Sequence, residues 1–147
     1  MITKNNETIE ITMIDDELFE LNKEPKKILI VEDDFINVLI LKKLLAPLNF
    51  ILETAENGQI GLDLFKENKY DLILMDIYMP IMDGLEASRR IRAISLTPPI
   101  IVISAAALNE ETLRKEIGID YFLPKPYNVF TLKKLIKKIL IIDENND

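Results

Sequence analysis

From Lys27 onward, short apolar runs alternate with helical patterns. "KILIVE" is a continuous apolar run, as a strand buried on both faces should be. "FINVLILKKLLAPL" is helical and stops near Pro47. "FILETAE" predicts a second, weaker strand. "NGQIGLDLFKEN" predicts a helix, with Ile60, Leu64 and Phe65 at helical spacing. "DLILMD" is the third strand, and "GLEASRRIRAI" a helix ended by "SLTPP". "PIIVIS" is the fourth strand, and "NEETLRKEI" a short helix closed by Gly118. "DYFLPKP" is the fifth strand with its exit, and "NVFTLKKLIKKILI" the last helix. The order βαβαβαβαβα implies a doubly wound parallel sheet with helices on both faces. Strands one, three and four are the most uniformly apolar and belong at the centre. Strand five carries Pro124, which cannot donate to a ladder and prefers an edge. Both points favour the order 2-1-3-4-5.

The first stretch breaks this rhythm. Residues 1–26 are acidic and lack glycine. "IEITMI" alternates like a weak strand, and "IDDELFEL" suits a short amphipathic helix. A solvated extension or tether is the simpler reading. The sharper one is a docking segment that packs Ile14, Leu18 and Leu21 on a partner. Pro25 marks the boundary before the ordered domain, expected over 27–142, with 143–147 a short tail.

Composition narrows the chemistry. The chain has 147 residues, 48% of them hydrophobic, which suits one domain with a sizeable core. Its net charge of -7 argues against general attraction to nucleic acid or anionic membranes. There is no cysteine and no histidine. Disulfides, thiolate sites, Ser-His-Asp catalysis and His-ligated zinc are therefore excluded. No run is apolar enough to span a membrane, and no secretory signal opens the chain, so a cytoplasmic location is expected.

Candidate chemistry lies where the strands end, since open α/β sheets bind ligands beyond their carboxyl ends. Strand one ends in Glu32-Asp33, followed by Asp34. Strand three ends in Asp76, strand four in Ser104, and strand five exits at Lys125 between Pro124 and Pro126. Each alone suits a turn, a helix cap or a solvated charge. Together they would meet on one rim. Neighbouring strands run roughly 5 Å apart, so Asp33 and Asp76 could share one ion. Carboxylates so crowded must take up protons or bind a cation, and an all-oxygen site selects a hard ion such as Mg²⁺. Aspartate can act as a nucleophile toward phosphorus. Asp76 would then attack, the metal and Lys125 would absorb phosphoryl charge, and Ser104 would donate its hydroxyl.

With those residues in place, the chain resembles the receiver domain of two-component response regulators over about Lys27 to Ile142. "ILIVEDDFIN", "DLILMDIYMPIMDGLEASRRIR", "PIIVISAAAL" and "DYFLPKP" carry the likeness, in order. The resemblance implies a flavodoxin-like fold of order 2-1-3-4-5 with five helices. It implies that Asp76 accepts the phosphoryl group. Glu32 and Asp33 are similar to the metal-binding acidic pair, and the Tyr78 main-chain carbonyl to the remaining protein ligand. Mg²⁺ is the implied ion, with Mn²⁺ able to substitute. Asp34 is similar to a flanking residue rather than a ligand, and Asn37 is also in place. Ser104 and Phe122 resemble the switch pair, a hydroxyl that follows the phosphoryl group and an aromatic that turns inward. Lys125 resembles the family's lysine, and its bond to Pro126 is expected to be cis. The segment from Ser104 to Lys125 is slightly short for the family. Tyr78 and Ala106 fall where the family tunes hydrolysis, and bulky Tyr78 is expected to screen the phosphoryl group from water.

The partners implied are a sensor histidine kinase or a histidine phosphotransfer protein, met by a monomer or weak dimer. On the first helix, Ile40, Leu41 and Leu44 are expected to share a face with Asn37. Leu39 falls near the opposite face with Lys42 and Lys43, flanked by Val38, as scattered surface or as a docking patch. Lys133, Lys134, Lys137 and Lys138 form a solvated stripe opposite Leu132, Leu135, Ile136 and Ile139. Only "DENND" follows, so a stand-alone receiver is expected, catalysing nothing beyond its own phosphorylation and dephosphorylation. Three alternatives stand beside it. One is a receiver fragment of a hybrid histidine kinase. Another is an interaction module that is not phosphorylated. The third, an aspartyl phosphohydrolase, would commonly need a second acid where Tyr78 stands.

Overall fold

The computed structural model describes residues 24–142. The strand and helix considered for residues 1–23, and the tail over 143–147, lie outside the described residues. Five strands form one parallel sheet: β1 (Lys27–Val31), β2 (Ile51–Ala55), β3 (Leu72–Asp76), β4 (Ile100–Ser104) and β5 (Tyr121–Pro124). Their order is β2-β1-β3-β4-β5, with Pro124 on an edge strand as its missing N–H requires. β3 and β4 are buried at every residue, whereas β2, the other edge, is fully buried only at Ala55.

Five α-helices cover the faces: α1 (Phe35–Leu45), α2 (Gly58–Glu67), α3 (Gly84–Ile94), α4 (Glu110–Glu116) and α5 (Val129–Lys137). A 3-10 turn with Pro47 follows α1, and a π turn over Lys138–Ile142 follows α5. Each α-helix starts at a side chain that takes up its free N–H groups: Asp34, Asn57, Asp83, Asn109 and Asn128. Alternating strand residues feed two cores. Leu29, Val31, Ile73, Met75 and Val102 face one, beneath α2, α3 and α4. Ile28, Ile30, Leu72, Leu74 and Ile101 face the other, beneath α1 and α5. Among the described residues, no helix is long and apolar enough to cross a membrane.

The first helix departs from expectation. Leu41 and Leu45 are buried, but Ile40, on the side of Asn37, is 45% exposed. Phe35 is 71% exposed, and Ile36 and Leu39 are exposed as well. The helix is apolar nearly all round, so periodicity could not say which stripe the sheet would claim. On α5 the expectation holds better: Leu132 and Ile136 are buried while Lys134 and Lys137 are exposed.

Candidate functional site

The carboxyl ends of β1, β3 and β5 meet at one rim. There Glu32, Asp33 and Asp76 each present a carboxylate oxygen, and the three oxygens lie within 4.8 Å of one another. Glu32 and Asp76 are buried, and Asp33 is exposed. Lys125 reaches between them, its Nζ 3.3 Å from Asp76 Oδ1 and 3.5 Å from Glu32 Oε1.

Local chemistry sets each group. Glu32 accepts the Asp34 N–H at 3.1 Å and the Asn37 side-chain amide at 3.3 Å. Asp34 turns away to cap α1, taking the Ile36 N–H at 2.8 Å. Asp76 is held by the close approach of Gly84. A Cβ there would collide with the Asp76 carbonyl oxygen, and the Gly84 N–H bonds the Ile77 carbonyl at 2.7 Å. That approach is why an Asp-Gly pair follows the apolar strand. Ser104 is fully buried, its Oγ accepting the Ala106 N–H at 3.1 Å. Phe122 is half-buried against the core beneath α4. Tyr78 stands exposed two residues beyond Asp76. The Lys125–Pro126 bond is cis, as expected; Thr97–Pro98 is cis too, where only a helix stop had been foreseen.

The electrostatics are unbalanced. Burial pushes the Glu32 carboxyl above its ordinary range, and the nearby Asp76 charge adds to this against the pull of the Asp34 N–H and Lys125. Burial pulls Lys125 down, but Glu32 and Asp76 together outweigh it and leave its pKa raised. Burial also raises Tyr127, which lines a cleft of about 510 Å³ with Asn37, Ile40, Ala105, Lys125, Pro126 and Val129. That cleft opens beside Lys125 and has no signal in the sequence, because its walls come from α1, from the residue after β4, and from the turn after β5 with the start of α5.

The match with known proteins decides the family. The family model for the response regulator receiver domain matches residues 28–137. The chain belongs to the response regulator receiver family. It is a receiver domain of two-component signalling, homologous to the receivers of hybrid histidine kinases. It is 37% identical over 133 residues to hybrid signal transduction histidine kinase I of Dictyostelium discoideum, covering 82% of this chain and 8% of that protein. It is 38% identical over 110 residues to sensor histidine kinase RcsC of Escherichia coli, covering 74% and 12%. The chain thus spans a small part of these relatives' length. Among solved structures, a CheY-like receiver domain protein from Methanospirillum hungatei superposes with a TM-score of 0.76 at 27% identity, over 84% of this chain and 100% of that one. Response regulator TrrA of Thermotoga maritima, in complex with Mg²⁺-BeF, superposes at 0.71 with 33% identity, over 78% and 99%.

Proposed function

We propose that this receiver accepts a phosphoryl group on Asp76 from a phosphohistidine donor, with help from a divalent cation, and thereby switches its contacts or passes the group onward. The observation that carries this is the convergence of the Glu32, Asp33 and Asp76 oxygens within 4.8 Å, with Lys125 Nζ at 3.3 Å from Asp76. Three carboxylates facing one ammonium leave an excess of negative charge. An all-oxygen donor set with that excess suits Mg²⁺, with Mn²⁺ as a substitute, and the TrrA complex holds Mg²⁺. Glu32, Asp33, Asp76 and the Tyr78 carbonyl would hold the ion, which when bound would neutralise charge on the transferring phosphoryl oxygens.

The chain's own residues do the rest. An Asp76 oxygen attacks phosphorus, a new O–P bond forms, and the donor's P–N bond breaks as its imidazole takes up a proton. Lys125 leaves its long bonds to Asp76 and Glu32 for a phosphoryl oxygen. Ser104 turns its hydroxyl proton to another oxygen, vacating space beside Phe122. The chain catalyses its own phosphorylation and dephosphorylation and no other turnover. The donor is a sensor histidine kinase or a phosphotransfer protein. Its helical bundle would dock on exposed Phe35, Ile36, Leu39 and Ile40 beside the cleft.

Incubation with Mg²⁺ and acetyl phosphate, followed by intact mass, tests the chemistry. One phosphoryl adduct is expected, absent in Asp76→Asn. Sustained acetyl phosphate turnover would instead mark a hydrolase, and no adduct an interaction module. Followed over time, the Tyr78→Ala adduct should decay faster than wild type. Leu39→Glu should slow transfer from the cognate donor while leaving acetyl phosphate labelling intact; equal slowing of both rejects the docking patch.

A further inference from the structure

Among the described residues, β5 has β4 on one side and no strand on the other. An edge strand leaves main-chain donors and acceptors that must be met in some other way. Here α4 meets them with two side chains. Glu110 Oε1 accepts the Phe122 N–H at 2.7 Å, and Arg114 Nε donates to the Asp120 carbonyl at 2.9 Å. The two side chains are paired with each other at 3.3 Å, one helical turn apart. The Arg114 guanidinium also stands 5.9 Å from the centre of the Tyr121 ring.

A carbonyl and an N–H two residues apart on one strand edge are the groups a neighbouring strand would engage. An exposed Glu–Arg pair on a helix surface usually contributes little. This one differs because each partner also holds a main-chain group by a charge-assisted bond. From the other side, Arg92 bonds the Gly118 carbonyl and the Asp120 carboxylate, fixing the entrance to β5. Leu113 of α4 and Ile117 at its C-terminal cap share a core with Phe122. The chain reaches α4 from Ser104 through residues 105–109 alone.

We propose that Glu110 and Arg114 serve as a strand surrogate that couples α4 to the Phe122 main chain, with Glu110 the positioning residue. A displacement of Ser104 then reaches Phe122 by two routes, through the space beside the ring and through α4. This deepens the switch described above and rests on it.

Hydrogen exchange on the unphosphorylated protein tests the clasp without that assumption. Glu110→Ala should speed exchange of the Phe122 amide about tenfold or more, with the Leu74 amide in central β3 unchanged as the folding control. Glu110→Gln keeps an acceptor oxygen and should stay near wild type. Amide spectra with Mg²⁺ and acetyl phosphate, the adduct verified by mass, then test coupling. Leu113 and Phe122 should shift together in wild type and Glu110→Gln, while in Glu110→Ala only Leu113 shifts fully. Unchanged Phe122 exchange in Glu110→Ala, or Phe122 tracking Leu113 there as in wild type, overturns the proposal. A wild type that takes up no phosphoryl group would overturn the phospho-acceptor function instead, and exchange would then decide the clasp alone.

Discussion

The two ends of this sheet hold their charges in opposite ways. Toward the amino ends of the strands, every charge named has a close partner. Lys27 Nζ lies 2.7 Å from Glu53, whose carboxylate also accepts the Tyr70 hydroxyl. Arg92 lies 2.8 Å from Asp120 and donates to the carbonyls of Gly118, Ser95 and Pro98. At the carboxyl ends, Glu32, Asp33 and Asp76 crowd together, and Glu32 and Asp76 share one lysine at 3.5 and 3.3 Å. One end is tight and balanced, so it holds the scaffold. The other is loose and over-charged, as the proposed cation and phosphoryl group would require.

The sharpest way to break this comparison is at the balanced end. The Arg92 side chain is 7% exposed, and its removal takes a donor from the part-buried carbonyls of Gly118, Ser95 and Pro98. Arg92→Ala should lower unfolding stability by about 3 kcal/mol, measured by urea titration. A loss under about 1 kcal/mol would mean the amino end is not the structural one.

That clasp was invisible in the sequence, and the reason is instructive. Arg92 sits among charged residues of an amphipathic helix, and its partners Pro98, Gly118 and Asp120 lie in loops with no period to read. The strands and their order were legible, because buried parallel strands are near-continuous apolar runs and Pro124 betrays an edge. The rim was legible too, since a polar residue that ends such a run must lie at the sheet's carboxyl edge. Ile40 was not: α1 is apolar on too many sides for period alone to choose its buried stripe. Glu110 lies in "NEETLRKEI", and nothing in that helical pattern marks it as the acceptor for the Phe122 N–H.

At the rim the expected effect is smaller and of opposite sign. Burial raises Glu32 in the folded state, so the native protein holds that proton more tightly than the unfolded chain. Stability should therefore fall as pH rises from 4.5 through the raised folded value. Glu32→Gln removes the penalty and should stabilise the metal-free protein by about 1 kcal/mol at neutral pH. The gain should vanish at pH values below the ordinary carboxylate range, where wild type is protonated in both states. Added Mg²⁺ should reverse the ranking, because wild type gains binding energy that the variant has lost. Thermal melts with and without Mg²⁺ at two pH values check both halves. A variant stabilised by Mg²⁺ as much as wild type would remove Glu32 from the site.

The smallest effect is the mirror image. Hydrogen bonds from Lys27 and then Tyr70 hold the Glu53 carboxyl below its ordinary range, against a slight opposing effect of burial. Its contribution is thus present above pH 4.5 and lost as pH falls through the lowered folded value. The pair is about a third exposed on the glutamate side, so solvent screening limits Glu53→Gln to a loss of about 0.5 kcal/mol at neutral pH. Urea titrations at neutral pH and again in strong acid separate charge from packing. Glu53→Gln should match wild type in acid, where both states of the wild-type glutamate are protonated. A loss that persists in acid would mean that Glu53 acts by seating the Tyr70 hydroxyl, not by its charge. The amino end would then owe its firmness to packing and hydrogen bonds, and opposite slopes with pH would no longer distinguish it from the rim.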